Sequence, residues 1–194
     1  MYVLGIDTST MTGGVALLQD DKLVGESVLN IRTTHSERLL PALEELLAHG
    51  GVEVQRLGLL SVVTGPGSFT GLRIGVATAK GLSYALGIPG VGVTTLEGYG
   101  WQFKFFLGTV LALVDARREN VFWQAFPEGV AFSDPSFGPL DDVLAWSRGC
   151  SGELLFVGDG AINYGEKIPS KVPASQSLLR PGAVADLGYR RFLA

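Results

Sequence analysis

Residues 59–99 read LLSVVTGPGSFTGLRIGVATAKGLSYALGIPGVGVTTLEGY, and this stretch decides the fold. Leu59, Leu60, Val62 and Val63 form a short β-rich apolar run that stops at Gly65-Pro66-Gly67. Glycine there supplies torsions that other residues avoid, and proline blocks further strand pairing, so the chain turns. A helix over residues 70–86 follows, with Gly87 as its left-handed stop and Pro89 as the bar to continuation. Val91 and Gly92 make a second short strand, and Thr94 opens another helix that runs toward residue 103. A strand, a glycine-rich turn, a helix and a strand in this order belong to an α/β fold.

The composition of the 70–86 helix is unusual. Gly71, Gly75, Ala79, Ser83 and Gly87 recur every four residues, and Ala77, Gly81 and Ala85 form a second row. Interior glycines at 75 and 81 cost about 1 kcal/mol each relative to alanine, so close backbone approach must compensate. The neighbour is either the protein's own sheet or another chain, and the two rows leave room for both. The turn itself resists three catalytic readings. A Walker loop needs a lysine followed by Ser or Thr after the last glycine, and residues 65–73 offer neither. A nucleophile elbow needs glycines flanking the serine, whereas Ser68 has Pro66 and Thr70 at those places. Gly65, Gly67 and Gly71 miss the dinucleotide-binding spacing.

Working outward, residues 2–7, 13–18 and 23–29 read as three strands in a meander, the second turn marked by Asp20-Asp21. Thr34-His-Ser-Glu37 is a capping box, after which Leu39, Leu43, Leu46 and Leu47 recur at helical spacing until Gly50-Gly51. Pro41 inside that helix predicts a bend over residues 37–41, and with Leu40 the leucine stripe reads as wider than one buried face. Beyond residue 103 the pattern restarts. Residues 110–115, VLALVD, echo residues 3–7, VLGID, a strand ending in aspartate, and residues 120–126 pair back as 12–18 do. A short helix at 141–147, a strand at 154–157 ending in Gly158-Asp159-Gly160, and a helix at 183–192 complete the chain. Two lobes are expected, residues 1–103 and a smaller lobe at 104–194.

Composition sets further bounds. The 194 residues carry a net charge of −4, so there is no basic footprint with which to hold a nucleic-acid backbone unaided. The single cysteine, Cys150, excludes an internal disulfide and suits a reducing cytoplasm. The longest apolar run, residues 105–114, is broken by Gly108 and Thr109 and is far shorter than the ~20 residues of a membrane helix. MYVLGIDTST enters a strand at once, with no basic region typical of a signal peptide, so a cytoplasmic protein without membrane contact is expected. Mean hydropathy is nonetheless +0.30, with charged residues at only 18%, which points to apolar surface reserved for a partner.

A strand ending in aspartate, small hydroxyl residues and a turn, repeated in a second lobe, resembles the actin-like ATPase architecture. That resemblance implies a mixed sheet with flanking helices in each lobe, and makes Asp7, Thr8, Ser9 and Thr12 a vestigial phosphate hairpin. The same residues also serve simply to satisfy backbone groups in a tight turn. LGIDTST, HSERLLPALEELL, the block from Gly65 to Tyr99, VDARRENVFWQAF and LLRPGAVADL together resemble the bacterial TsaB (YeaZ) family over nearly the whole chain. The resemblance implies a non-catalytic partner of the paralogue TsaD, working with the ATPase TsaE in threonylcarbamoyl modification of the adenosine beside the tRNA anticodon. It implies contact with tRNA only through that complex, leaves a homodimer as a further arrangement, and implies no cofactor. In the catalytic paralogue, the segment matching GVTTLEGY carries two metal-binding histidines four residues apart; here Thr95 and Tyr99 occupy those positions. Neither replaces imidazole as a ligand for a transition metal, and His35 and His49 lie near opposite ends of one helix, so no metal site is expected. That absence argues against a metallopeptidase, and the short second lobe against an autonomous small-molecule kinase. Leu39, Leu40, Leu43, Leu46 and Leu47, with Gly75, Ala79, Leu82 and Ser83, are expected to form the surface that docks TsaD.

Overall fold

Residues 1–30, 35–128 and 134–194 are described by a computed structural model. Its contacts gather into two units, Met1–Thr94 with Arg180–Ala194, and Thr95–Leu179. In the first unit β1 (Tyr2–Asp7), β2 (Thr12–Gln19) and β3 (Lys22–Asn30) form the antiparallel meander. They are followed by α1 (His35–His49), β4 (Leu57–Val63), α2 (Phe69–Leu86) and β5 (Gly90–Val93). The sheet order is β3-β2-β1-β4-β5, with β4 parallel to both β1 and β5. Side chains alternate across it, as the two-residue period of a strand requires. Leu4, Ile6, Val15, Leu17, Leu60 and Val62 meet α1 and α2 in one cluster, while Val3, Ala16, Leu18 and Leu59 face the other way.

The second unit holds α3 (Thr95–Gln102), β6 (Thr109–Asp115), β7 (Asn120–Pro127), β8 (Ser136–Pro139), α4 (Leu140–Ser147), β9 (Leu154–Val157) and α5 (Asp159–Asn163). Its sheet runs β8-β7-β6-β9, with β6 antiparallel to β7 and parallel to β9. This is the order and sense of β3-β2-β1-β4, so the internal repeat read from residues 3–7 and 110–115 is a repeat of topology. Leu111, Leu113, Val121, Ala125 and Phe156 pack with Leu140 and Val143 of α4 and Ala161 of α5. Gly100 of α3 sits where any Cβ would strike the Phe126 ring on the opposite face.

Two placements depart from the sequence reading, and the first is α3, expected in the first lobe but part of the second unit. The final helix, α6 (Pro181–Leu193), belongs to the first unit, where it covers the face formed by Val3, Ala16, Leu18 and Leu59. The two lobes therefore do not divide between residues 103 and 104. Small residues cause the return: a Cβ on Gly5 would reach Ala185 Cβ at 2.8 Å, and one on Gly188 would collide with the Ser61 hydroxyl. That hydroxyl donates to the Val184 carbonyl at 2.7 Å, and Glu26 accepts from the Gly182 N–H at 2.7 Å and from the Arg180 guanidinium. Strand β8 and helix α5 have no counterpart in the sequence reading. Thr34 of the capping box lies outside the described residues, and α1 starts at His35 and continues through Pro41. Among the described residues no helix is long and apolar enough to cross a membrane.

Candidate functional site

Asp7 ends β1, and the turn after it is closed over it. Asp7, Thr8, Ser9 and Thr12 are all buried. The Ser9 N–H and hydroxyl donate to Asp7 Oδ1 at 2.9 and 2.7 Å, the local arrangement that the tight-turn reading anticipates. The turn is then fastened to the start of α2: the Thr8 hydroxyl donates to the Gly71 carbonyl at 2.8 Å, and the Ser68 N–H to the Ser9 carbonyl at 2.6 Å. Ser68 also caps α2, its hydroxyl accepting from the Gly71 N–H at 3.3 Å. A Cβ on Gly67 would collide with the Ser9 carbonyl, and one on Gly75 with the Thr8 hydroxyl. Gly67 before α2 and Gly75 within it therefore serve the protein's own turn.

The same finding corrects the leucine stripe. Leu39, Leu43, Leu46 and Leu47 are buried in the first unit's core against β1, β2 and β4. Their spacing fits one helical face over a sheet, and only Leu40, 49% exposed, lies outside it. Gly75 and Ala79 are buried as well, while Leu82 and Ser83 are half-buried, the Ser83 hydroxyl donating to the Ile88 carbonyl at 2.6 Å. Four of the five leucines, with Gly75 and Ala79, are therefore removed from the expected docking surface. What α2 does present is its second row: Ala77, Gly81 and Ala85 are exposed, next to Tyr84 at 92% exposure. Phe69 is 68% exposed, with the Arg73 guanidinium 3.7 Å from its ring centre. Open space surrounds Gly81.

Thr95 and Tyr99 lie on α3 inside the second unit. Both are buried, Tyr99 at 1% exposure, and its ring would stand 3.3 Å from a Cβ on Gly158. Among the described residues, no group of three His, Cys, Asp or Glu side chains is gathered to hold a metal ion.

The second aspartate-ended strand carries a cluster that the sequence reading did not assemble. Asp115 Oδ1 accepts from the Tyr164 hydroxyl at 2.6 Å and the Arg117 N–H at 2.7 Å, and Oδ2 from the Asn163 amide at 2.9 Å. Burial works to raise the Asp115 carboxyl, but these hydrogen bonds outweigh it and hold the group below its ordinary range. Asp159 Oδ1 accepts from the Asp115 N–H at 3.1 Å; burial, with the nearby Asp115 charge, pushes Asp159 up to about 6. Between β6 and β7, Arg117, Arg118 and Glu119 all adopt left-handed φ, at 67°, 52° and 59°. Each costs roughly 1–2 kcal/mol for a residue with a Cβ. The surroundings hold the turn in place: the Glu119 N–H donates to the Tyr164 hydroxyl at 3.2 Å, the Asn120 amide to the Arg118 carbonyl at 3.1 Å, and Lys167 pairs with Glu119 at 2.8 Å. The strand-ending Asp115 and the Gly158-Asp159-Gly160 motif were visible in the sequence, but no spacing announces Tyr164, Asn163 or the left-handed run.

Two aspartate-ended hairpins, each with a parallel strand on the far side of its first strand, define the actin-like ATPase fold. Component A of (R)-2-hydroxyglutaryl-CoA dehydratase from Acidaminococcus fermentans shares that fold, with a TM-score of 0.57 over all of both chains at 11% identity. Within that class, residues 23–137 match the family described as TsaD, tRNA N6-adenosine threonylcarbamoyltransferase. The tRNA threonylcarbamoyladenosine biosynthesis protein TsaB of Escherichia coli K12 is 34% identical over 167 residues, covering 82% of this chain and 72% of the relative. TsaB of Bacillus subtilis strain 168 is 40% identical over 122 residues, 63% of this chain and 53% of the relative. YeaZ from Pseudomonas aeruginosa superposes with a TM-score of 0.83 at 26% identity, covering all of this chain and 93% of that one. The chain belongs to the TsaB (YeaZ) family. Its match spans about half the length of the Bacillus relative.

Proposed function

We propose that this chain takes part in tRNA threonylcarbamoyladenosine biosynthesis as a non-catalytic subunit that binds and activates TsaD, in an assembly that also engages TsaE. The relatives' names support the pathway. The observation that carries the non-catalytic role is Tyr99: at a position where the resemblance puts a metal-binding histidine in the catalytic paralogue, a neutral phenol fills the core of the second unit. The Asp7 turn adds support, because the chain's own α2 residues take the hydrogen bonds of Thr8 and Ser9. The outer row of α2, with Tyr84 and Phe69, is the docking surface the geometry favours, since small residues flanked by exposed aromatics permit close helix approach and large buried area.

The test is reconstitution. With TsaE, tRNA, threonine, bicarbonate, ATP and the enzyme that makes the threonylcarbamoyl adenylate, TsaD from the same source should modify tRNA only when this chain is present. Tyr84→Ala should weaken the complex by about 2 kcal/mol without lowering thermal stability. Modification by this chain without TsaD, or one tightly bound transition-metal ion per chain lost in Tyr99→Ala, overturns the reading.

A further inference from the structure

The β6–β7 turn holds three consecutive non-glycine residues in left-handed conformation, and Arg117 and Arg118, both exposed, are two of them. Strain of this kind persists only where the surroundings over-determine it, and such places tend to be functional. Here Asp115, Tyr164, Asn120 and Lys167 all bond to the turn, and the Glu119 carbonyl accepts from the Leu140 N–H at 2.8 Å. The acidic groups around it are engaged within the cluster: Asp115 by Tyr164 and Asn163, Glu119 by Lys167. Among the described residues neither guanidinium is in salt-bridge contact with a carboxylate, although the Arg117 charge acts on Asp115 from farther off. A rigid turn thus offers two neighbouring planar cations to solvent, the chemistry that suits the oxygens of a phosphodiester.

We propose that this turn is the chain's own contact with the phosphate backbone of tRNA within the assembled complex. The inference rests on the proposed role in tRNA modification. Two guanidiniums on a chain of net charge −4 are too few to hold RNA alone, so the contact adds to affinity supplied elsewhere in the complex. Asp115 and Tyr164 are positioning residues, since they hold the backbone that aims the arginines.

The experiment measures binding of an unmodified tRNA transcript, one that reads codons beginning with A, to the complex of this chain with TsaD across a range of salt concentrations. The double variant Arg117→Ala/Arg118→Ala should bind about tenfold more weakly at low salt, with a salt slope smaller by about 1.5. Tyr164→Phe keeps every charge, so its affinity should fall about threefold while the slope stays near the parent's. Thermal melting and complex mass are recorded for each variant. Unchanged affinity and slope in the folded, assembled double variant overturn the proposal. So does loss of assembly with TsaD at unchanged tRNA binding per complex, which would make the turn a protein contact. A weak double variant beside an unaffected Tyr164→Phe would overturn the positioning role. A parent complex that fails to form or to modify tRNA removes the functional reading, and this contact with it, before any variant is compared.

Discussion

Asp7 ends β1 and Asp115 ends β6, each strand with an antiparallel neighbour on one side and a parallel one on the other. Asp7 is fully buried, and the turn after it is fastened to α2; Asp115 is half-buried, under a turn that projects two arginines. The difference arises after the parallel strand. Beyond β4 the chain makes the Gly65–Ser68 loop, whose Gly67 lies against Ser9, and an 18-residue helix whose Gly75 lies against Thr8. Beyond β9 it makes a five-residue helix, and the side chains of Asn163 and Tyr164 at its end reach the second turn instead. One topology thus yields a sealed hairpin and an open one, and the length of the helix after the parallel strand decides between them.

The largest expected effect tests the seal. Gly75→Val drives a branched side chain into the Thr8 hydroxyl and should destabilise the protein by about 3 kcal/mol or more, whereas Gly81→Val points into open space and should be neutral or mildly stabilising. Urea unfolding midpoints read both. If the two variants behaved alike, α2 would not be what closes the first turn.

A second expectation concerns pH and belongs to the open hairpin. Asp159 titrates near 6 when folded, above the 3.8 of an ordinary aspartate, so the folded state binds its proton more tightly than the unfolded state does. Its contribution to stability is therefore present below pH ~4 and lost as pH rises through ~6, a swing of at most about 3 kcal/mol. Asp159→Asn keeps an acceptor for the Asp115 N–H and should flatten that part of the stability–pH curve. Parallel curves for parent and variant between pH 4 and 7.5 would remove Asp159 as the source.

The smallest effect separates the two aspartates themselves. Asp7→Ala strands the buried Ser9 N–H and hydroxyl and should cost about 2 kcal/mol, while Asp115→Ala exposes its donors to water and should cost about 1 kcal/mol. Calorimetric unfolding of the pair decides it, and the reverse order would mean that burial does not distinguish the hairpins.

Much of this was legible in the sequence, for identifiable reasons. Strands β1 and β4, the Gly87 stop of α2 and the paired aspartates announce themselves through alternation, breakers and repetition. The leucines of α1 misled because periodicity gives the width of an apolar stripe but not the breadth of the sheet beneath it. That sheet takes Leu46 and Leu47 as readily as Leu39 and Leu43, so Leu43→Arg reports on folding instead of docking. The small rows of α2 were visible, and which row faces inward was not, because that choice is made by Thr8, more than sixty residues away. The end of β1 at Asp7, and the helix that carries Thr95 and Tyr99, were readable. The Asp115–Tyr164 network was not, since its partners meet only through the tertiary fold.

The return of α6 to the first unit has a consequence for synthesis. Residues 95–179 are contiguous and can complete their sheet as soon as they have left the ribosome, whereas the first unit needs Arg180–Ala194 to cover Val3, Ala16, Leu18 and Leu59. Until then that apolar face stays bare, and Ser61 lacks the Val184 carbonyl it bonds to in the finished protein. The strands of the first unit are therefore made before the second unit and covered after it, and in the interval their apolar face is open to aggregation and to chaperones.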